Sequence, residues 1–263
     1  MITKNIDNNI IHFYQKVVDK RAVLRFTTDF LMRIFALSYK KKSERSDNEE
    51  TKRIIASIQA SLFAQIDKYL KDTSVAENNI IEIKFEKDNI FPIVEILDED
   101  KPSGILVNVF FKKINWEEIN EFRIFLIRFL EYYFIQYKSD SIKDEQNVKK
   151  LVTEMAGVVQ ELLQNANMYS IGNYDYELVI EFKENKFIIT VYNFADSKNA
   201  KNLFSIIKEI KNSTNMQELI LKYMLSDNKT LGLISSIYNY NIKTYSAEYL
   251  NNEIVKVVFE VEI

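Results

Sequence analysis

Glu161 and Asn165 stand four residues apart in the run Glu161-Leu162-Leu163-Gln164-Asn165-Ala166. On a helix that spacing projects both side chains from one face, one turn apart. A carboxylate held there can orient or deprotonate a hydroxyl. An amide oxygen can hold Mg²⁺, a hard cation that takes oxygen ligands and keeps most of its waters. The same spacing describes a solvated polar face, so the pair alone leaves both readings open. Little else in the chain competes for chemistry. There is no cysteine, and His12 is the single histidine. One histidine builds neither a zinc site nor a Ser-His-Asp triad. Phe13 follows it, where an acid is expected after a phospho-accepting histidine.

The elements that must position the pair can be read from periodicity. The helix carrying it is expected to end near Ser170. Val148, Leu151, Val152, Met155, Val159, Leu162, Leu163 and Ala166 form its core stripe. Ser141 and Asp144 have the spacing of a capping box at its start. Apolar residues at three- and four-residue spacing over Asn8–Tyr39 and Thr51–Leu70 predict helices, so residues 1–75 read as a helical N-terminal region. Strands are expected over Asn79–Phe85, Ile90–Leu97 and Ile105–Phe111, followed by a helix over Asn115–Tyr137. Beyond the central helix come a hairpin around Glu184-Asn185, a helix over Lys198–Lys211 and another capped by Thr214 with Gln217. Gly232 opens a short helix, and a closing hairpin turns at Asn251-Asn252. The fold class is therefore α+β. Residues 76–263 should form a mixed, largely antiparallel sheet with helices on one face, preceded by the helical region.

Composition narrows the function. With 47% apolar residues the chain can bury a large core. A net charge of −3 gives no electrostatic capture of nucleic acid. Met1–Asn9 is polar, unlike a signal peptide, and the apolar stretch Phe122–Tyr137 is broken by Arg123, Arg128 and Glu131. A cytoplasmic protein outside the membrane is expected. The run Lys40-Lys41-Lys42 reads as a solvated loop, and Tyr132, Tyr133, Phe134 and Tyr137 read as packing surface.

The run from Glu161 to Asn167-Met168-Tyr169-Ser170 resembles the N-box of the GHKL superfamily, to which histidine kinases and anti-sigma kinases belong. More narrowly it is similar to the SiaB-like serine/threonine protein kinases. Leu231-Gly232-Leu233-Ile234 resembles the box that closes the ATP lid of that superfamily and begins the next helix. Val191-Tyr192-Asn193 ends a strand where the superfamily places its adenine-reading aspartate. The ordered matches cover roughly residues 104–263. The resemblance implies a Bergerat-type α/β sandwich that uses ATP and Mg²⁺. Glu161 would act as general base or orient the attacking hydroxyl, and Asn165 would hold Mg²⁺. Asn193 would meet the adenine edge, Gly232 would admit the phosphates, and Lys229 would supply a cation to them. It also implies a bacterial signalling regulator that phosphorylates a STAS-like or anti-sigma-antagonist-like protein, its N-terminal region docking a partner or forming a homodimer.

The sequence departs from the pattern in definite places. Asn193 replaces an aspartate and brings no charge to the adenine contact. Phe194, Ala195, Asp196 and Ser197 stand where a glycine-rich box is expected, and Asp227, Asn228, Lys229 and Thr230 precede Gly232. Side chains there restrict the close approach of backbone to phosphate. A second expectation follows: a pseudokinase that keeps the fold and works by protein–protein contact.

Overall fold

Two tight hairpins fix the registers on which the sheet is built. Glu184 and Asn185 have φ of 50° and 59°, and Asn251 and Asn252 have φ of 52° and 57°. Two successive positive φ values make the two-residue turn whose twist matches paired strands, and asparagine tolerates that conformation. The computed structural model describes residues 9–14, 25–34, helical residues between 49 and 64, 80–85, 93–97, 104–112, 114–137, 145–171, 175–225, 231–240 and 242–262.

In chain order the elements begin with β1 (Asn9–Tyr14), α1 (25–34) and the helical residues between 49 and 64 (α2). Three strands follow, β2 (Ile80–Phe85), β3 (Ile93–Leu97) and β4 (Ile105–Phe111), then two long helices, α3 (Trp116–Tyr137) and α4 (Glu145–Tyr169). The remainder comprises β5 (Tyr176–Lys183), β6 (Lys186–Phe194), α5 (Ser197–Asn212), α6 (Met216–Leu225), α7 (Leu231–Asn239), β7 (Thr244–Leu250) and β8 (Ile254–Glu262). The strands form one sheet in the order β3-β2-β1-β4-β5-β6-β8-β7, and every neighbouring pair is antiparallel. The class is α+β.

The expectation of helix throughout residues 1–75 is corrected at its start. Residues 25–34 are helical, but Asn9–Tyr14 form a strand between β2 and β4. The run Asn-Ile-Ile-His-Phe-Tyr is rich in β-branched and aromatic residues, which fit a pleated surface, and six residues are too few for periodicity to separate helix from strand. The sheet therefore does not begin at residue 76. Asn215 rather than Thr214 caps α6, its Oδ1 accepting from the backbone N–H of Gln217 at 3.1 Å and of Glu218 at 3.3 Å. At α3, Asn115 and Glu118 form a reciprocal capping box, with bonds of 2.7 and 3.0 Å. Ser141, Asp144, Lys40–Lys42 and Lys229 lie outside the described residues.

One face of the sheet carries Ile11, Val107, Val109, Phe111, Tyr176, Leu178, Ile180, Phe187, Ile189 and Val191, all buried. The helices pack on this face. Phe111 meets Phe122 of α3 edge-on at 5.0 Å, and Phe134 meets Phe187 at 5.1 Å. Each such aromatic pair adds about 0.5–1.5 kcal/mol to the burial of its area. The opposite face carries His12, Asn108, Glu177, Tyr192 and Lys256, a polar set that period-2 alternation separates from the core. Among the described residues, no helix is long and apolar enough to cross a membrane.

If β1 is integral to the core, Ile11→Ala should lower global stability by about 2–5 kcal/mol. Urea denaturation followed by circular dichroism measures this, and an unchanged midpoint would show that β1 contributes nothing to the cooperative core.

Candidate functional site

Gly157, Glu161 and Asn165 follow one another at four-residue intervals along one face of α4. That face meets α7 and its C-terminal extension. A Cβ added at Gly157 would lie 2.4 Å from the Tyr240 hydroxyl. A Cβ added at Gly232 would lie 2.0 Å from Glu161 Oε2. Two glycines, one on each helix, thus create the room in which α7 and α4 approach. Gly232 was expected to admit phosphates; in the structure its missing side chain admits the Glu161 carboxylate. Burial lifts the Glu161 carboxyl above the ordinary glutamate range.

One turn further along α4, Asn165 lines a narrow cavity of about 40 Å³. Its walls come from five elements. Leu162, Asn165, Ala166 and Tyr169 project from α4, and Val191, Asn193 and Ala195 come from β6 and its end. Asn199, Asn202 and Leu203 come from α5, Leu233 from α7, and Val255 and Val257 from β8. Asn193 is 6% exposed, and its Nδ2 donates to the Phe194 carbonyl at 3.4 Å. That bond leaves the amide oxygen as its unengaged end. Asn165 Nδ2 is buried without a hydrogen-bond partner. An unpaired buried amide costs about 1–3 kcal/mol, so this end of Asn165 is provisioned for a group that would satisfy it. Burial also raises the Tyr169 hydroxyl pKa.

The structure therefore joins Asn165 and Asn193 at one cavity and sets Glu161 beside it against Gly232. Lys229 lies outside the described residues. Sequence reasoning missed Asn199 and Asn202, two amides at i, i+3 on α5 whose spacing alone does not distinguish them from a solvated face. Among the described residues no group of three or more His, Cys, Asp or Glu could hold a metal ion. Asn165 and Glu161 fit Mg²⁺ only as part of a shell completed by water and phosphate oxygens, the usual habit of that ion. No protein-family model matches the chain, and comparison with curated proteins finds no match.

Two outcomes follow from the Glu161–Gly232 contact. The atom in the way is the mobile end of a glutamate, so Gly232→Ala should cost only about 1 kcal/mol. The cost should vanish in a Glu161→Ala background, and equal costs in both backgrounds, measured by urea denaturation, would contradict the contact. The raised carboxyl also sets a pH dependence. The folded state holds the Glu161 proton more tightly than the unfolded chain does. The contribution of this group to stability is thus fully present below the ordinary glutamate value, about 4.3, and is lost as pH rises through the folded value. Glu161→Gln should gain stability relative to the parent over that rise, and parallel stability–pH curves would contradict it.

Proposed function

We propose that this chain is a bacterial signalling regulator built on a degenerate GHKL-type module that binds an adenine nucleotide with Mg²⁺ between α4, β6 and α7. One observation carries the reading. Asn165, Asn193 and Leu233, the neighbour of Gly232, come from three separate stretches of sequence and meet at a single cavity, where the Asn165 amide nitrogen is unsatisfied. In this reading the amide oxygen of Asn193 accepts from the adenine amino group. Asn165 turns its amide oxygen to the hydrated cation, and its unpaired Nδ2 donates to a phosphate oxygen. Glu161, whose carboxyl burial raises above the ordinary glutamate range, orients or deprotonates the acceptor hydroxyl of a protein substrate. Bound Mg²⁺ supplies charge neutralisation at the phosphates. The activity would be that of a Ser/Thr protein kinase of the SiaB-like kind, acting on an anti-sigma-antagonist-type partner.

A second reading has its own support. The cavity, at about 40 Å³, is far below the roughly 300–1,000 Å³ of ordinary ligand pockets. Asn193 brings no charge, and the space over Gly232 is filled by Glu161. A pseudokinase working through protein contact is consistent with all three features. For nucleotide to enter, α5 and α7 must part.

A ligand that binds only the native state raises its stability, by about 2.7 kcal/mol at a hundredfold excess over Kd. Mg-ATP at about millimolar concentration should therefore raise the melting temperature. Asn165→Ala should abolish the magnesium-dependent part of that shift, and Glu161→Ala should stop turnover while sparing binding. No shift with Mg-ATP would overturn the nucleotide reading and leave the pseudokinase.

A further inference from the structure

We propose that the outer surface of α5 and α6 docks an acidic amphipathic helix of a partner protein. Helix α5 turns Ala200, Ile206, Ile207 and Ile210 inward. Outward it shows Lys198, Lys201, Lys208 and Lys211, all exposed, the last with its ammonium over the Tyr245 ring of β7 at 5.5 Å. Among the described residues, no carboxylate lies within ion-pair distance of any of these four. The one acid of α5, Glu209, is already engaged. It accepts from Lys222 of α6 and from the Tyr223 hydroxyl at 2.8 Å, and these bonds hold its carboxyl below the ordinary range. In a chain of net charge −3, this helix carries four lysines against one neutralised glutamate.

Helix α6 completes the surface. Leu219 and Tyr223 are buried, whereas Leu221, Met224 and Leu225 are 57%, 61% and 89% exposed. Positions 221, 224 and 225 fall on one helical stripe. Single exposed apolar residues are ordinary, but three large ones in a stripe mark a contact surface. The Glu209–Lys222 pair ties the two helices, so the basic and apolar stripes flank one seam.

The charge pattern selects the occupant. An amphipathic helix can lay leucines at i, i+3, i+4 and i+7 along the α6 stripe and place acids over the α5 lysines. It can also place a neutral or basic residue opposite the exposed Glu218, which stands one turn before Leu221 on the same stripe, where a uniformly anionic surface would be repelled. The inner side of α5 supplies Asn199 and Leu203 to the cavity, so a docked helix would lie over the cavity's outer wall. The inference does not depend on nucleotide binding.

The test uses the full chain and a fluorescent synthetic helix of about 18 residues, five turns. Its leucines follow the stated spacing and one flank carries glutamates; a control peptide replaces the glutamates with lysines. Anisotropy should show binding of the acidic peptide that weakens with salt. The Lys201→Glu/Lys208→Glu and Leu221→Asp/Leu225→Asp variants should each weaken it at least tenfold while keeping the parental melting temperature. Lys201→Gln/Lys208→Gln should weaken it less and flatten the salt dependence. Failure of the acidic peptide to bind, equal binding of the lysine control, or parental affinity in both double variants would overturn the proposal. So would lysine-dependent sedimentation with phosphatidylglycerol vesicles in the absence of peptide binding, since that would assign the surface to lipid. Loss of the Mg-ATP melting shift with peptide binding intact would sink the nucleotide reading alone.

Discussion

The close approach of α7 to α4 is the constraint on which the candidate site depends. Two side chains are missing at the seam, at Gly157 and Gly232, and the Tyr240 hydroxyl and the Glu161 carboxylate occupy the space. An added methyl group at Gly157 would press on the Tyr240 ring, which packing holds in place, whereas at Gly232 it would displace only the mobile end of Glu161. Move α7 outward and Leu233 leaves the cavity wall, Glu161 regains water, and the unsatisfied amide of Asn165 opens to solvent. In a chain with only four glycines, two serve this one seam.

The sheet supplies the opposite wall. Its antiparallel registers put Asn193 beside Tyr176 on one side and Val255 on the other, on the face that packs the helices. A carboxylate at position 193 would be buried with little to offset its desolvation. An asparagine is tolerated because its amide nitrogen is paired to the Phe194 carbonyl. The replacement of a charge by an amide is thus compatible with local packing while weakening any charge-assisted contact to a base.

Much of this was legible in the sequence because it is local. Hairpin turns need positive φ, and Glu184-Asn185 and Asn251-Asn252 announce it. Long amphipathic helices announce themselves by period, and α3, α4 and α5 fall where their apolar stripes put them. What was not legible depends on partners distant in sequence. The run Asn9–Tyr14 becomes a strand because β2 and β4 present edges to it. Asn215 outcompetes Thr214 as cap through a geometry that composition does not encode. The glycine at 232 was readable as a permissive position, but that it accommodates Glu161 is a fact of tertiary packing. Asn199 and Asn202 carry no local mark until α5 is laid over the cavity.

The central claim is that Asn165 and Asn193 present their amides to one nucleotide. The most direct measurement is the nitrogen–proton spectrum of the side-chain amides, assigned by Asn165→Ala and Asn193→Ala, during titration with magnesium and a non-hydrolysable ATP analogue. The account predicts that both resonances move together along one binding curve, with the Asn165 signal responding to magnesium. Two amide signals that stay fixed at saturating nucleotide, or that move independently of one another, would contradict it.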